Sequence, residues 1–104
     1  MRQFDICRLM PAEPGAGAPD LVVVLQSDLL SDIATRVVAP LAGERALPAI
    51  ARLRPVITHR ARRYRIVIDR MNVVSTRNLG EVVGSAAAAD YEIRRAIDGV
   101  FMGF

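Results

Sequence analysis

Ser85-Ala86-Ala87-Ala88-Ala89-Asp90-Tyr91-Glu92-Ile93-Arg94-Arg95-Ala96-Ile97-Asp98-Gly99-Val100-Phe101-Met102 is the stretch on which the fold turns. Ala89, Ile93, Ala96, Ile97, Val100 and Phe101 recur at the i, i+3, i+4, i+7 spacing of one buried helical stripe. Ser85 is placed to cap its start, and Gly103 follows as a left-handed C-terminal cap. Everything before it reads as strand and turn. Strands first and one helix last predict an α+β domain in which the helix packs on a curved antiparallel sheet.

Working back from the helix, Leu79 to Gly84 reads as a lead-in and Asn72 to Asn78 as a short strand. Val56–Thr58 and Tyr64–Asp69 read as a strand pair, with His59-Arg60-Ala61-Arg62-Arg63 at the turn. Ala42 to Arg52, interrupted by Pro48, reads equally as loop or short helix. Val37 to Leu41 is extended, and Pro40, with no N–H to donate, assigns it to an edge or a bulge. Leu21 to Leu25 is apolar enough for a central strand. It should pair with residues 2 to 9, where Phe4 and Ile6 alternate with Gln3, Asp5 and Cys7. The Pro- and Gly-rich run from Pro11 to Pro19 is the loop between them.

The chain has 104 residues, 52% of them hydrophobic, which suits a single domain over 1–104. A core this small profits from a staple or a second copy, and one cysteine cannot staple the chain to itself. The lone thiol argues against a secreted disulfide scaffold. With an acid at position 5 and no long apolar run, the sequence predicts a cytoplasmic protein without a targeting or membrane segment.

Candidate chemistry is sparse. His59 is the only histidine and lies among arginines, a setting that opposes the imidazolium a general base must become. One Cys and one His far apart make a poor metal site, so neither metal nor cofactor is expected. Pro14-Gly15-Ala16-Gly17 lacks the Lys and the following helix of a phosphate loop. The net charge of +3 is concentrated in residues 52–77, with eight Arg against Asp69. That cluster reads as a phosphate-binding patch or as a solvated hairpin whose charge blocks edge pairing. Only Tyr64 lies within it, so no stacking platform for single-stranded RNA is expected. At the helix end, Gly99 occupies the position whose side chain would normally receive the residue after the cap, so Phe104 is left without that contact.

Gln26-Ser27-Asp28-Leu29-Leu30, followed by Arg36, Val38, Pro40, Leu41 and Ala42, resembles the matching segment of CcdB-type toxins. Leu53, Pro55 and Val56, then Gly80-Glu81, then Ile93, Ala96, Ile97, Phe101, Gly103 and Phe104 continue the resemblance in the same order. It implies the curved sheet of the CcdB, MazF and Kid toxins, a small second sheet and a long C-terminal helix. It also implies a toxin that is no enzyme, a homodimer formed around the C-terminal helices. Such a dimer binds the DNA gyrase A subunit and traps the enzyme on cleaved DNA. A CcdA-type antitoxin neutralises it, and the pair represses its operon by binding operator DNA.

Carried over by position, the gyrase-binding residues are Ser27, Leu29, Leu30, Asp98, Phe101, Met102, Gly103 and Phe104. Met102 stands where the best-known member has a tryptophan that stacks on a target arginine, and methionine offers no such contact. Asp98 stands where that member has asparagine. Arg60, Arg62 and Arg63 are expected to serve capture of an acidic antitoxin tail or of operator phosphates. Two alternatives stay open: a MazF-like endoribonuclease toxin, and a non-toxic homologue that only binds antitoxin.

Overall fold

The alternation before residue 10 becomes β1 (Asp5–Leu9), and β2 (Asp20–Val24) pairs with it antiparallel, Ile6 opposite Val23. The computed structural model describes residues 1–10, 20–30, 32–46, 48, 50 and 52–103. The expected loop from Pro11 to Pro19 and the helix-end residue Phe104 therefore lie outside the described residues. β3 (Thr35–Gly43), β4 (Val56–His59), β5 (Arg62–Ile66), β6 (Asn72–Ser75), β7 (Leu79–Ser85) and α1 (Asp90–Met102) follow. Among the described residues the strands run β4-β5-β3-β2-β1-β7, with β6 also on β3. The β4–β5 hairpin with the end of β3 forms the smaller sheet.

β3 is the hinge of this arrangement, and Pro40 is not at an edge. Val22 faces it from β2, while on the other side β3 pairs with β6 over Thr35–Val38 and with β5 over Leu41–Gly43. The carbonyl of Pro40 accepts the N–H of Val67 at 2.9 Å. N and O of one strand residue point to the same side, so the missing N–H faces the gap where β3 changes partner. Proline is tolerated in a central strand here because no ladder bond is due.

Four further expectations are corrected. Leu79 to Ser85 is a full strand, and its two register shifts against β1 obscured the alternation. The strand expected over Tyr64–Asp69 stops at Ile66, and Ile68–Arg70 turns as a 3-10 helix. The Ser85 hydroxyl accepts the Ala87 N–H at 3.1 Å just ahead of a 3-10 turn over Ala87–Ala89 whose cap position is Ala86, while α1 starts at Asp90. Gly103 keeps the positive φ, +75°, but its ψ of 170° lies outside the left-handed helical well, and its N–H reaches the Gly99 carbonyl at 3.1 Å.

The sheet is curled enough for its two end strands to meet. A Cβ on Gly84 of β7 would stand 2.8 Å from the His59 ring of β4, so the imidazole rests on bare backbone. Phe4, Ile6, Val23, Ala39, Ile57 and Ile66 line the inner face, and Ile93 and Ala96 of α1 pack onto them. On the outer face Cys7, Val22, Val24, Val38 and Leu79 form a second cluster. Burial raises the Cys7 thiol's pKa, with the nearby Asp5 carboxylate adding to it, as suits a small core residue. Arg54 is buried and pairs through two bonds, 3.0 and 2.9 Å, with Asp69, whose carboxyl that pair holds below its usual range.

Candidate functional site

α1 divides into two halves by burial. Ile93 and Ala96 are fully buried and Ile97 half-buried, while Phe101 is 68% exposed and Met102 84% exposed. The apolar stripe read from the sequence continues past the point where the sheet stops covering it. Apolar side chains in the last turn thus stand in water on a rigid element, at a cost that folding does not recover.

The Gln26–Leu30 turn adds to that surface. The Gln3 N–H donates to the Asp28 carboxylate at 2.7 Å, the Gln3 amide donates to the Leu25 carbonyl at 3.0 Å, and the Leu29 N–H donates to the Ser27 hydroxyl at 3.2 Å. The Gln26 side-chain oxygen accepts the Val37 N–H at 3.2 Å. These bonds fix a 3-10 turn over Asp28–Leu30 that holds Leu29 outward, 93% exposed.

Two grooves border the helix end. One, about 280 Å³, lies between Leu25 and Gln26 on one wall and Ile97 and Phe101 on the other, with Val37 and Met71 below. The second, about 240 Å³, brings Gln3 and Phe4 beside Arg94, Ile97 and Asp98. Phe101 thus borders the turn that carries Ser27 and Leu29, and Asp98 lies beside Gln3, which is bonded to that turn. Gly103 is exposed just beyond them. Sequence reasoning placed these residues together only through resemblance, because the turn and the helix end are some seventy positions apart.

The arginine cluster is less uniform than its spelling. Arg63 pairs with Glu44 at 3.0 Å, and Arg65 donates to the carbonyls of Glu44 and Arg54. Arg54 is taken by Asp69. Arg60 and Arg62 instead border a cavity of about 390 Å³ with Arg8, His59 and Tyr64. Arg8 was not singled out in the sequence, yet its parity in β1 is that of Ile6, whose side chain faces inward. Burial, with Arg60 and Arg8 nearby, lowers the His59 pKa and so favours the neutral ring. Among the described residues no three of His, Cys, Asp and Glu cluster. No helix there is long and apolar enough to cross a membrane.

Comparison with solved structures places this architecture among toxin folds. An endoribonuclease in complex with its cognate antitoxin from Mycobacterial species superposes with a TM-score of 0.76 at 13% identity, covering 96% of this chain and 93% of the other. The Mycobacterium tuberculosis toxin MazF-mt6 gives 0.71 at 14% identity, with coverages of 93% and 95%. The fold is therefore that of toxins from toxin–antitoxin systems, an α+β domain with a curled antiparallel sheet and one C-terminal helix. No curated protein sequence matches the chain. The family model for the CcdB protein matches residues 3–103, and the chain belongs to the CcdB family.

Proposed function

We propose that this toxin acts as a dimer that binds the DNA gyrase A subunit and holds it on cleaved DNA, without bond chemistry of its own. The observation that carries this reading is the exposure of Phe101, Met102 and Leu29, apolar side chains held in water by rigid elements, with Phe101 and Gln26 of the turn lining one groove. Such a surface binds; it has no nucleophile or paired acid and base with which to react. Two copies joined at their C-terminal helices would bring both helix ends, with Gly103 and Phe104, near one two-fold axis. A symmetric target subunit can share that axis. Binding that favours the broken-DNA conformation shifts the population toward it and blocks resealing. Met102 in place of tryptophan supplies apolar area to the contact in place of a cation–π stack.

Leu30, which closes the turn, and Asp98, beside Gln3, complete the proposed contact. A CcdA-type antitoxin neutralises the toxin by laying a segment that folds on binding into the apolar groove beside Phe101, covering the gyrase-binding side chains. The complex of the two then represses their operon on operator DNA, in the cytoplasm where gyrase works. Arg63, occupied by Glu44, contributes less to operator or antitoxin electrostatics than Arg60 and Arg62.

Removing Gly103 and Phe104 tests the surface. Cells expressing the shortened chain should survive while the purified protein still folds and still binds antitoxin. A shortened chain that kills as well as the full one rejects the helix end as the gyrase contact.

A further inference from the structure

The inner face of the sheet changes character along its strands. In β1, Ile6 is followed at the same parity by Arg8; in β4, Ile57 by His59; in β5, Ile66 is preceded by Tyr64 and Arg62. The apolar members of these series lie under α1 in the core, with Tyr64 packed at its margin. The charged members lie beyond it, where among the described residues no helix covers them, and border the cavity of about 390 Å³. Inward-pointing strand positions normally carry apolar residues, and here they carry two guanidinium groups, an imidazole and a phenol.

The tip of the β4–β5 hairpin adds Arg60. Its two turn residues, Arg60 and Ala61, both have positive φ, 51° and 65°, the type I′ geometry for which Asn and Gly are the usual choices. Arginine at such a position costs about 1 kcal/mol or more, and it sets Arg60 at the rim. Among the described residues neither Arg60 nor Arg62 pairs with a carboxylate. Arg8 shares Glu81 at 3.2 Å, with Glu81 largely in water. The Arg62 guanidinium lies 5.8 Å from the centre of the Tyr64 ring, and the His59 and Tyr64 rings are 6.3 Å apart, tilted by 52°.

We infer that this cavity is a binding site for a nucleoside phosphate, with the phosphate held by Arg8, Arg60 and Arg62 and the base against Tyr64 and His59. Guanidinium forks match phosphate oxygens bidentately, and aromatic faces accept any base. The volume falls in the range of small-ligand pockets. A free nucleotide and one unit of a single strand present the same chemistry. The inference concerns binding alone, and it uses the end of the inner face that the proposed gyrase contact leaves untouched.

His59 is the only histidine, so its imidazole resonance reports this cavity without ambiguity. It faces Arg8, Arg60, Arg62 and Tyr64, with Glu81 behind Arg8. The experiment uses the full chain, titrated with adenosine monophosphate, with a short single-stranded RNA and with a poly-glutamate peptide. Binding is followed by fluorescence anisotropy and by a pH titration of the His59 signal. The RNA or the nucleotide should bind, and its negative charge should raise the His59 midpoint. Arg60→Ala and Arg62→Ala, both at exposed positions, should each weaken binding about tenfold, and Arg77→Ala, away from the cavity, should not. Tight binding by the nucleotide alone identifies a free-nucleotide site, and binding that strengthens with strand length a nucleic-acid site; both support the inference. Failure of both to bind, an unmoved His59 midpoint at saturation, an equal loss in Arg77→Ala, or saturation by poly-glutamate alone overturns it.

Discussion

Truncating side chains one by one along α1 should separate folding from binding within a single helix. Ile93 is fully buried against the inner face, so Ile93→Ala removes its packing and leaves a cavity, a loss of about 2–5 kcal/mol. In a domain of this size that lowers the melting temperature by roughly 10 °C or more. Phe101 keeps 68% of its surface in water, so about a third of the roughly 3 kcal/mol of a buried phenyl is at stake, and Phe101→Ala costs about 1 kcal/mol. Met102, 84% exposed, costs about 0.5 kcal/mol by the same reasoning. Binding reverses the order. An anchor side chain at the centre of an interface is worth about 2 kcal/mol or more, so Phe101→Ala should weaken binding to gyrase A roughly thirtyfold. The assay is thermal unfolding by circular dichroism beside calorimetric titration of the gyrase A subunit. A Phe101→Ala protein that melts as early as Ile93→Ala, or binds gyrase A as well as the parent chain, refutes the reasoning.

Three further outcomes follow from the packing. The Asp69 carboxyl is held low by Arg54, so the stability it contributes is present above the ordinary carboxylate range and lost as pH falls through its own lowered pKa; Asp69→Asn should flatten the acid side of a stability–pH curve and lower the neutral plateau. Ala61→Gly relieves a positive φ of 65° in the β4–β5 turn and should raise stability by about 1 kcal/mol, readable as a melting shift of a few degrees. Gly84→Ala sets a methyl group 2.8 Å from the His59 ring, so the imidazole must turn away; its proton resonance should move and the melting temperature should fall by several degrees.

How much of this could be read from the sequence depends on what each residue had to signal. The first hairpin and the helix were legible because Leu21 to Leu25 is an unbroken apolar run and Ile93, Ala96 and Ile97 keep helical spacing. β7 was hidden because two register shifts and two glycines break the alternation of Leu79 to Ser85. Pro40 misled because a change of strand partner is a tertiary fact: the gap that excuses its missing N–H is made by Arg65 and Ile66 on one side and Asn72 and Val73 on the other. The candidate gyrase contact was proposed by resemblance alone, since nothing in Leu29 states that it will be exposed. The cavity was missed for a different reason. Its arginines were read as one run at a hairpin tip, whereas strand parity separates Arg62, facing inward with Tyr64, from Arg63, which turns to Glu44, and adds the distant Arg8.

The central claim is that an exposed apolar helix end, and no active site, makes this chain a toxin. It is tested most directly by a DNA cleavage assay containing the host's gyrase and the purified chain. The account predicts that cleaved DNA–gyrase complex accumulates with the parent chain and not with a Phe101→Ala, Met102→Ala double variant. Absence of any trapped complex, together with RNA cut by the chain in a reaction lacking gyrase, would contradict it.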